Sequence, residues 1–170
     1  MGLGSVSISD QTIDFIRSIL PAGSTILEFG SGAGTIALSE YYTMYSVENQ
    51  HEWMDRYPLC TTYINCGTKP YDAEFTAPDI VGPQTAWYDP ADLLPNLPKE
   101  YDLILVDGPG GHFGRGGFFK YLDEFNTSIP LLFDDINRPH DFDLMVQVSK
   151  VLDRPYKVIY ADLGYIAYEN

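Results

Sequence analysis

Three groups of residues in this chain of 170 have the types and spacing to do chemistry. The first is Glu28-Phe29-Gly30-Ser31-Gly32-Ala33-Gly34-Thr35. Its glycines permit a tight turn and let backbone come close to a ligand. A helix starting near Gly34 points its free N–H groups into the same cleft. The second is Glu48, followed by Asn49. A carboxylate at the end of a strand can accept both hydroxyls of a ribose, so the glycine turn plus the distal acid read as a nucleoside-binding half. The third is Asp107 with Asp134 and Asp135. If these end neighbouring strands, three carboxylates converge on one edge of the cleft, an oxygen-donor set that suits a hard divalent cation. The plainer alternative is that Asp134 caps a turn and Asp135 is solvated.

These residues need strands to carry them. Residues 9–20 read as a helix, with Ser9 as N-cap and Ile13, Ile16, Ile19 and Leu20 on one apolar face. Strands are predicted over 25–29, 43–47, 61–65, 101–106 and 131–133, with helical stretches from about Gly34 to Tyr41, over 51–56, over 118–125 and from Phe142 to Leu152. Residues 67–100 hold six prolines and read as surface connections with one strand near 85–87. Two strands, 157–161 and 165–168, are expected around an Asp162-Leu163-Gly164 turn. Strand and helix alternate up to that hairpin. The pattern predicts a single α/β domain over 1–170, doubly wound on a mostly parallel sheet, with ligands beyond the carboxyl ends of the strands.

Composition narrows the partners. Ten Lys+Arg against 24 Asp+Glu leave a net charge of −14, and the cations form no run. Nucleic-acid binding rests on neutralising phosphates, so nucleic acid, anionic membrane and acidic polymers are poor partners. A neutral or cationic small ligand is easier to accommodate. No apolar run is long enough for a bilayer, and the first ten residues have neither the basic start nor the apolar stretch of a signal peptide, which gives a cytoplasmic expectation. Cys60 and Cys66 cannot build a disulfide framework and match no zinc spacing.

The glycines follow an acid and are spaced G-x-G-x-G, not the G-x-G-x-x-G of dinucleotide folds. That arrangement resembles the first motif of class I S-adenosylmethionine-dependent methyltransferases. The resemblance implies a seven-stranded sheet ending in an antiparallel hairpin, and S-adenosyl-L-methionine as cofactor. It implies that Glu28, Phe29, Gly30, Ser31, Gly32 and Gly34 hold the methionine end, and that Glu48 and Asn49 hold the ribose. Asn65 and Cys66 take the adenine position and Asp107 lies beside the transferred methyl. Val47 to Met54 and Asp107 to Arg115 look like the small polysaccharide methyltransferases that act on glucuronoxylan. The metal-dependent O-methyltransferases supply a second likeness, in which Asp107, Asp134 and Asp135 would hold Mg2+ or another divalent cation.

The resemblance therefore implies O-methylation of a small-molecule or sugar acceptor. Asp107 places and activates the acceptor, and His112, in the glycine-rich loop, is a candidate general base. His51 is better placed for the cofactor than for the acceptor, and His140 lies near the acidic pair. Arg115 either holds a substrate carboxylate or pairs with acids. Phe113, Phe118 and Phe119 either line an acceptor pocket or belong to the core, with core expected for Phe119. Two other readings stay open: an NAD-linked oxidoreductase, and a cofactor-binding partner subunit without catalysis. Oligomeric state is not readable.

Overall fold

A computed structural model describes residues 8–71, 80, 82 and 84–168. The chain opens with helix α1 (Asp10–Ile19), where Ser9 accepts a hydrogen bond from the Thr12 amide at 3.1 Å and so caps the N-terminus. Strand β1 (Thr25–Phe29) leads through the glycine cluster into α2 (Ala33–Ser39). Then follow β2 (Thr43–Glu48), α3 (His51–Arg56), β3 (Thr62–Asn65), β4 (Thr68–Pro70), β5 (Ala86–Tyr88), α4 (Pro90–Leu93) and β6 (Leu103–Val106). The second half comprises α5 (Gly117–Lys120), β7 (Leu131–Asp134), α6 (Pro139–Leu152), β8 (Tyr156–Tyr160) and β9 (Leu163–Ile166). Among the described residues no helix is long and apolar enough to cross a membrane.

Seven strands form one sheet in the order β3-β2-β1-β6-β7-β9-β8. β3, β2, β1, β6 and β7 are parallel, while β9 runs antiparallel to both β7 and β8. This is the doubly wound, Rossmann-like methyltransferase fold expected from the alternation of elements. Successive side chains of a strand face opposite ways, and the core divides accordingly. Ile26, Leu103, Leu105 and Leu132 pack with Ile13 and Ile16 of α1 and Leu38 of α2. Leu27, Phe29, Ile104 and Val106 pack on the other side with Trp87, Phe118 and the α6 residues Leu144, Met145 and Val148. All four residues of β6 are buried, as a strand covered on both faces requires.

Three expectations are corrected. Residues 67–100 are not only surface connections: β4 and β5 pair as an antiparallel ribbon, and the Trp87 and Tyr88 side chains lie in the core against Phe29. Residues 72–79, 81 and 83 of that segment lie outside the described residues. The helix expected over 118–125 stops at Lys120 and resumes as a 3₁₀ turn at Leu122–Glu124. In a straight α-helix residues 118 and 125 would sit about 10 Å apart along the axis. Instead the Phe118 and Phe125 rings stack at 5.3 Å, and both meet Phe29 edge-on. Finally, the last turn falls at Ala161-Asp162, because Leu163 and Gly164 belong to β9. A side chain at 164 would collide with the Met145 sulfur, so glycine is what lets β9 approach α6.

The sheet changes winding direction between β1 and β6, and the two strand ends touch there. Gly30 has φ +88, and a Cβ on it would lie 3.1 Å from the Asp107 carbonyl and from the Gly108 Cα. The left-handed backbone and the crowding both demand glycine. Gly30→Ala is expected to lower stability by about 1–3 kcal/mol. Chemical denaturation checks this, and an unchanged midpoint would refute the crowding.

Candidate functional site

Beyond the carboxyl ends of β1, β2, β6 and β7 lies a cavity of about 450 Å³. That is within the range of about 300–1,000 Å³ typical of small-molecule sites. At one end stand Glu48 and the α3 residue Trp53; at the other stand Asp107, Asp134, Asp135 and Arg138.

Glu48 ends β2 and is 3% exposed. One of its carboxylate oxygens accepts from the Ser31 amide at 3.0 Å and the Ser31 hydroxyl at 2.6 Å. The other accepts from the amides of Asn49 at 2.9 Å and Gln50 at 2.8 Å. Of these four donors only the Ser31 hydroxyl can rotate away without moving backbone.

Glu28 lies beneath the glycine turn and does not line the cavity. It accepts from the Thr35 hydroxyl at 2.9 Å and the Ser46 hydroxyl at 2.7 Å, and Thr35 in turn accepts from the Gly32 amide at 3.0 Å. Glu28 thus holds the turn's shape through Thr35. Burial pushes its pKa up to about 7, against the pull of the two hydroxyls, with the nearby Glu48 charge adding to the rise.

The acidic edge comes from β6 and β7. Asp107, Asp134 and Asp135 each offer one carboxylate oxygen, all within 4.8 Å of one another. Burial, first, and mutual repulsion raise Asp107 well above the usual carboxylate range; Asp134 is raised as well, chiefly by burial. Both therefore hold a proton more readily than an ordinary carboxylate. Asp135 sits at φ 61, a left-handed conformation that brings its carboxylate round to the arginines. Arg115 is buried and donates to the carbonyls of Asp107 at 2.6 Å, Asp134 at 3.0 Å and Pro109 at 3.3 Å, and to the Asp135 carboxylate at 2.9 Å. Arg138 touches the same Asp135 oxygen and lies 3.0 Å from the buried Asp141.

Several expected site residues fall elsewhere. Phe29 is fully buried in the aromatic cluster. Gly32 caps α2 and Gly34 is buried in its first turn. Cys66 is fully buried, its thiol pushed up to about 12, chiefly by burial. Asn65 is exposed at the end of β3, in register with Glu48. His112 is exposed with its ring 4.0 Å from Phe113, away from the cavity lining. Phe118 and Phe119 pack in or against the core, so they build no acceptor pocket. Arg115 resolves to the pairing with acids.

The cavity also uses residues that the sequence did not single out. Trp53 stands one helical turn beyond Glu48 on α3, and its aromatic ring beside a ribose-type acid is the signal that could have found it. Arg138 follows the Asp134-Asp135 pair, a cation beside acids. Tyr88 had no such signal: it lies in a proline-rich stretch, and only folding sets it against Gly108.

No protein-family model and no curated protein matches the chain. Solved structures do. The MycE methyltransferase from the mycinamycin biosynthetic pathway, in complex with Mg and S-adenosylhomocysteine, superposes with a TM-score of 0.58 at 12% identity over 94% of this chain. The chain spans 45% of that protein's length. A fibrillarin/Nop5p complex gives 0.51 at 15% identity, covering 94% of this chain and 79% of the other. A TehB-like SAM-dependent methyltransferase from Corynebacterium glutamicum gives 0.50 at 12%, covering 94% and 86%. The chain therefore has a class I methyltransferase fold.

The buried Glu28 makes stability depend on pH. The folded chain keeps a proton up to about pH 7 that the unfolded carboxyl, near 4.5, has already lost. Its contribution is complete at low pH and falls away as pH rises through that window. Thermal melting from pH 4.5 to 7.5 is expected to fall less for Glu28→Gln than for the parent chain. Parallel profiles would show that Glu28 is ionised throughout.

Proposed function

We propose that the chain is an S-adenosylmethionine-dependent methyltransferase that methylates a hydroxyl of a small-molecule or sugar acceptor, with a divalent cation at the acidic edge. The observation that carries this reading is the placement of Glu48 and the Asp107–Asp134–Asp135 set at opposite ends of one cavity. One end suits a ribose, the other a cation and a hydroxyl.

The residues fit both groups. Glu48 is a buried two-oxygen acceptor whose Ser31 partner can yield to a sugar hydroxyl. At the other end, the carboxylates of Asp107, Asp134, Asp135 and Asp141 face the guanidiniums of Arg115 and Arg138. With all four carboxylates ionised, four negative charges against two positive ones leave a double deficit, which a divalent cation balances. Oxygen donors are the right chemistry for such an ion. When bound, S-adenosylmethionine supplies a methyl on a sulfonium for in-line displacement, and the cation lowers the pKa of a hydroxyl.

The chain's own residues do the rest. Glu48 and the backbone after Gly30 orient the nucleoside. The overall charge of −14 favours the approach of a ligand that carries a sulfonium. Asp107, at the end of β6 and lining the cavity, is the carboxylate placed to take the proton from the acceptor hydroxyl. Arg115 fixes the ends of β6 and β7, so that Asp107 and Asp134 keep their separation. Alignment of the two reactants is the main contribution of such a site.

Calorimetry with S-adenosylhomocysteine and with Mn2+, followed by turnover on a panel of sugars and catechols, tests the reading. Glu48→Ala is expected to lose at least tenfold in S-adenosylhomocysteine affinity. Asp134→Asn is expected to lose at least tenfold in Mn2+ affinity with nucleoside binding kept within threefold. Mn2+ affinity in the parent chain is expected to rise with pH, because Asp107 and Asp134, whose proton affinity burial raises, must be ionised to hold the ion. Absence of nucleoside binding would overturn the assignment; binding without turnover on any acceptor would favour a non-catalytic subunit.

A further inference from the structure

Two guanidiniums contact Asp135, and they are held differently. Arg115 is 3% exposed and donates to the backbone carbonyls of Asp107, Pro109 and Asp134. Those partners are parts of strand ends, so Arg115 cannot leave without disturbing the sheet. Arg138 is 33% exposed, lines the cavity, and pairs with the side chains of Asp135 and Asp141. Its backbone caps α6, where Arg138 is the N-cap residue with no side-chain cap hydrogen bond, so the helix does not depend on where its guanidinium points. The guanidinium lies over Gly111, at a place a side chain on that residue would occupy.

We propose that Arg138 is a displaceable internal cation, which occupies the acidic edge in the metal-free protein and must release Asp135 before a divalent ion is held there. This inference rests on the cation reading given above and names how that site is regulated. Asp135 cannot bring the same oxygen to a metal while Arg138 covers it, and a fixed positive charge beside the ion opposes its binding. Release carries the Arg138 side chain toward the open cavity and leaves Arg115 as the second-layer donor. Asp141, buried and 3.8 Å from Arg115 as well, retains that counter-charge after Arg138 turns away. One positive charge leaves the carboxylates and two arrive, so the exchange makes the acidic edge less negative by one charge.

The experiment is Mn2+ binding to the full chain, followed by electron paramagnetic resonance of the free ion, for the parent, Arg138→Gln and Arg138→Lys. Arg138→Gln is expected to bind Mn2+ about tenfold more tightly, and Arg138→Lys to stay near the parent value. Thermal melting and S-adenosylhomocysteine affinity, read on the same samples, confirm that the variants are folded. Equal Mn2+ affinity in the parent and Arg138→Gln, or weaker binding in the variant, overturns the proposal while leaving the cation site in place. Binding to Arg138→Gln alone supports it strongly. No Mn2+ binding to any of the three, with S-adenosylhomocysteine still bound, overturns the cation reading and this inference together.

Discussion

The buried guanidinium of Arg115 is the contact on which the acidic edge depends. It joins the carbonyls that end β6 and β7 to the carboxylate of Asp135, and it lies 3.8 Å from the buried Asp141. Burying one charge is costly, and burying like charges together is worse, unless a partner of the opposite sign is hydrogen-bonded in place. Arg115 meets that condition for Asp107 and Asp135. A planar donor with five N–H groups can reach carbonyls and carboxylates in different directions, which a lysine could not. The two neighbouring strand ends are thereby fixed relative to one another, and with them the oxygens that face the cavity.

The other half of the cavity is organised by acids of a different kind. Glu28 is dry and held by two hydroxyls, so burial raises its proton affinity and it serves as an internal support. Glu48, at the end of the neighbouring strand β2, accepts from three backbone amides and the Ser31 hydroxyl. Identical side chains thus do different work because one meets hydroxyls in an apolar layer and the other meets N–H dipoles at a cavity mouth. The Asp107–Asp134 pair is a third case, in which burial raises the proton affinity of both and the Asp134 charge adds to the rise at Asp107.

The aromatic cluster explains why the cavity has firm walls. Phe29 at the end of β1 meets Trp87, Tyr88, Phe118 and Phe125, and so ties the strand that carries the glycine turn to the β4–β5 ribbon and to α5. Tyr88 belongs to this cluster and lines the cavity as well. Packing of this kind is hard to compress, so residues just beyond the strand ends keep their spacing.

The sequence by itself determined the strand order's ingredients and the catalytic-looking acids. The apolar run Leu103–Val106, the glycine cluster after Phe29, and acids placed just after strands are local features, and periodicity and turn chemistry read local features directly. Ser9 as a cap and His51–Arg56 as a helix were legible for the same reason. Tertiary structure decided the rest. Whether Glu28 faces ligand or core, whether Arg115 meets substrate or Asp135, and whether Trp87 is surface or core all depend on groups far away in the chain. Trp87 and Tyr88 were hidden among prolines because their partners are Phe29 and Phe118. The break after Lys120 was hidden because the stacking of Phe118 on Phe125 outweighs the local preference for a continuous helix. Charge balance in a buried cluster is a sum over all its members, and no window along the chain contains that sum.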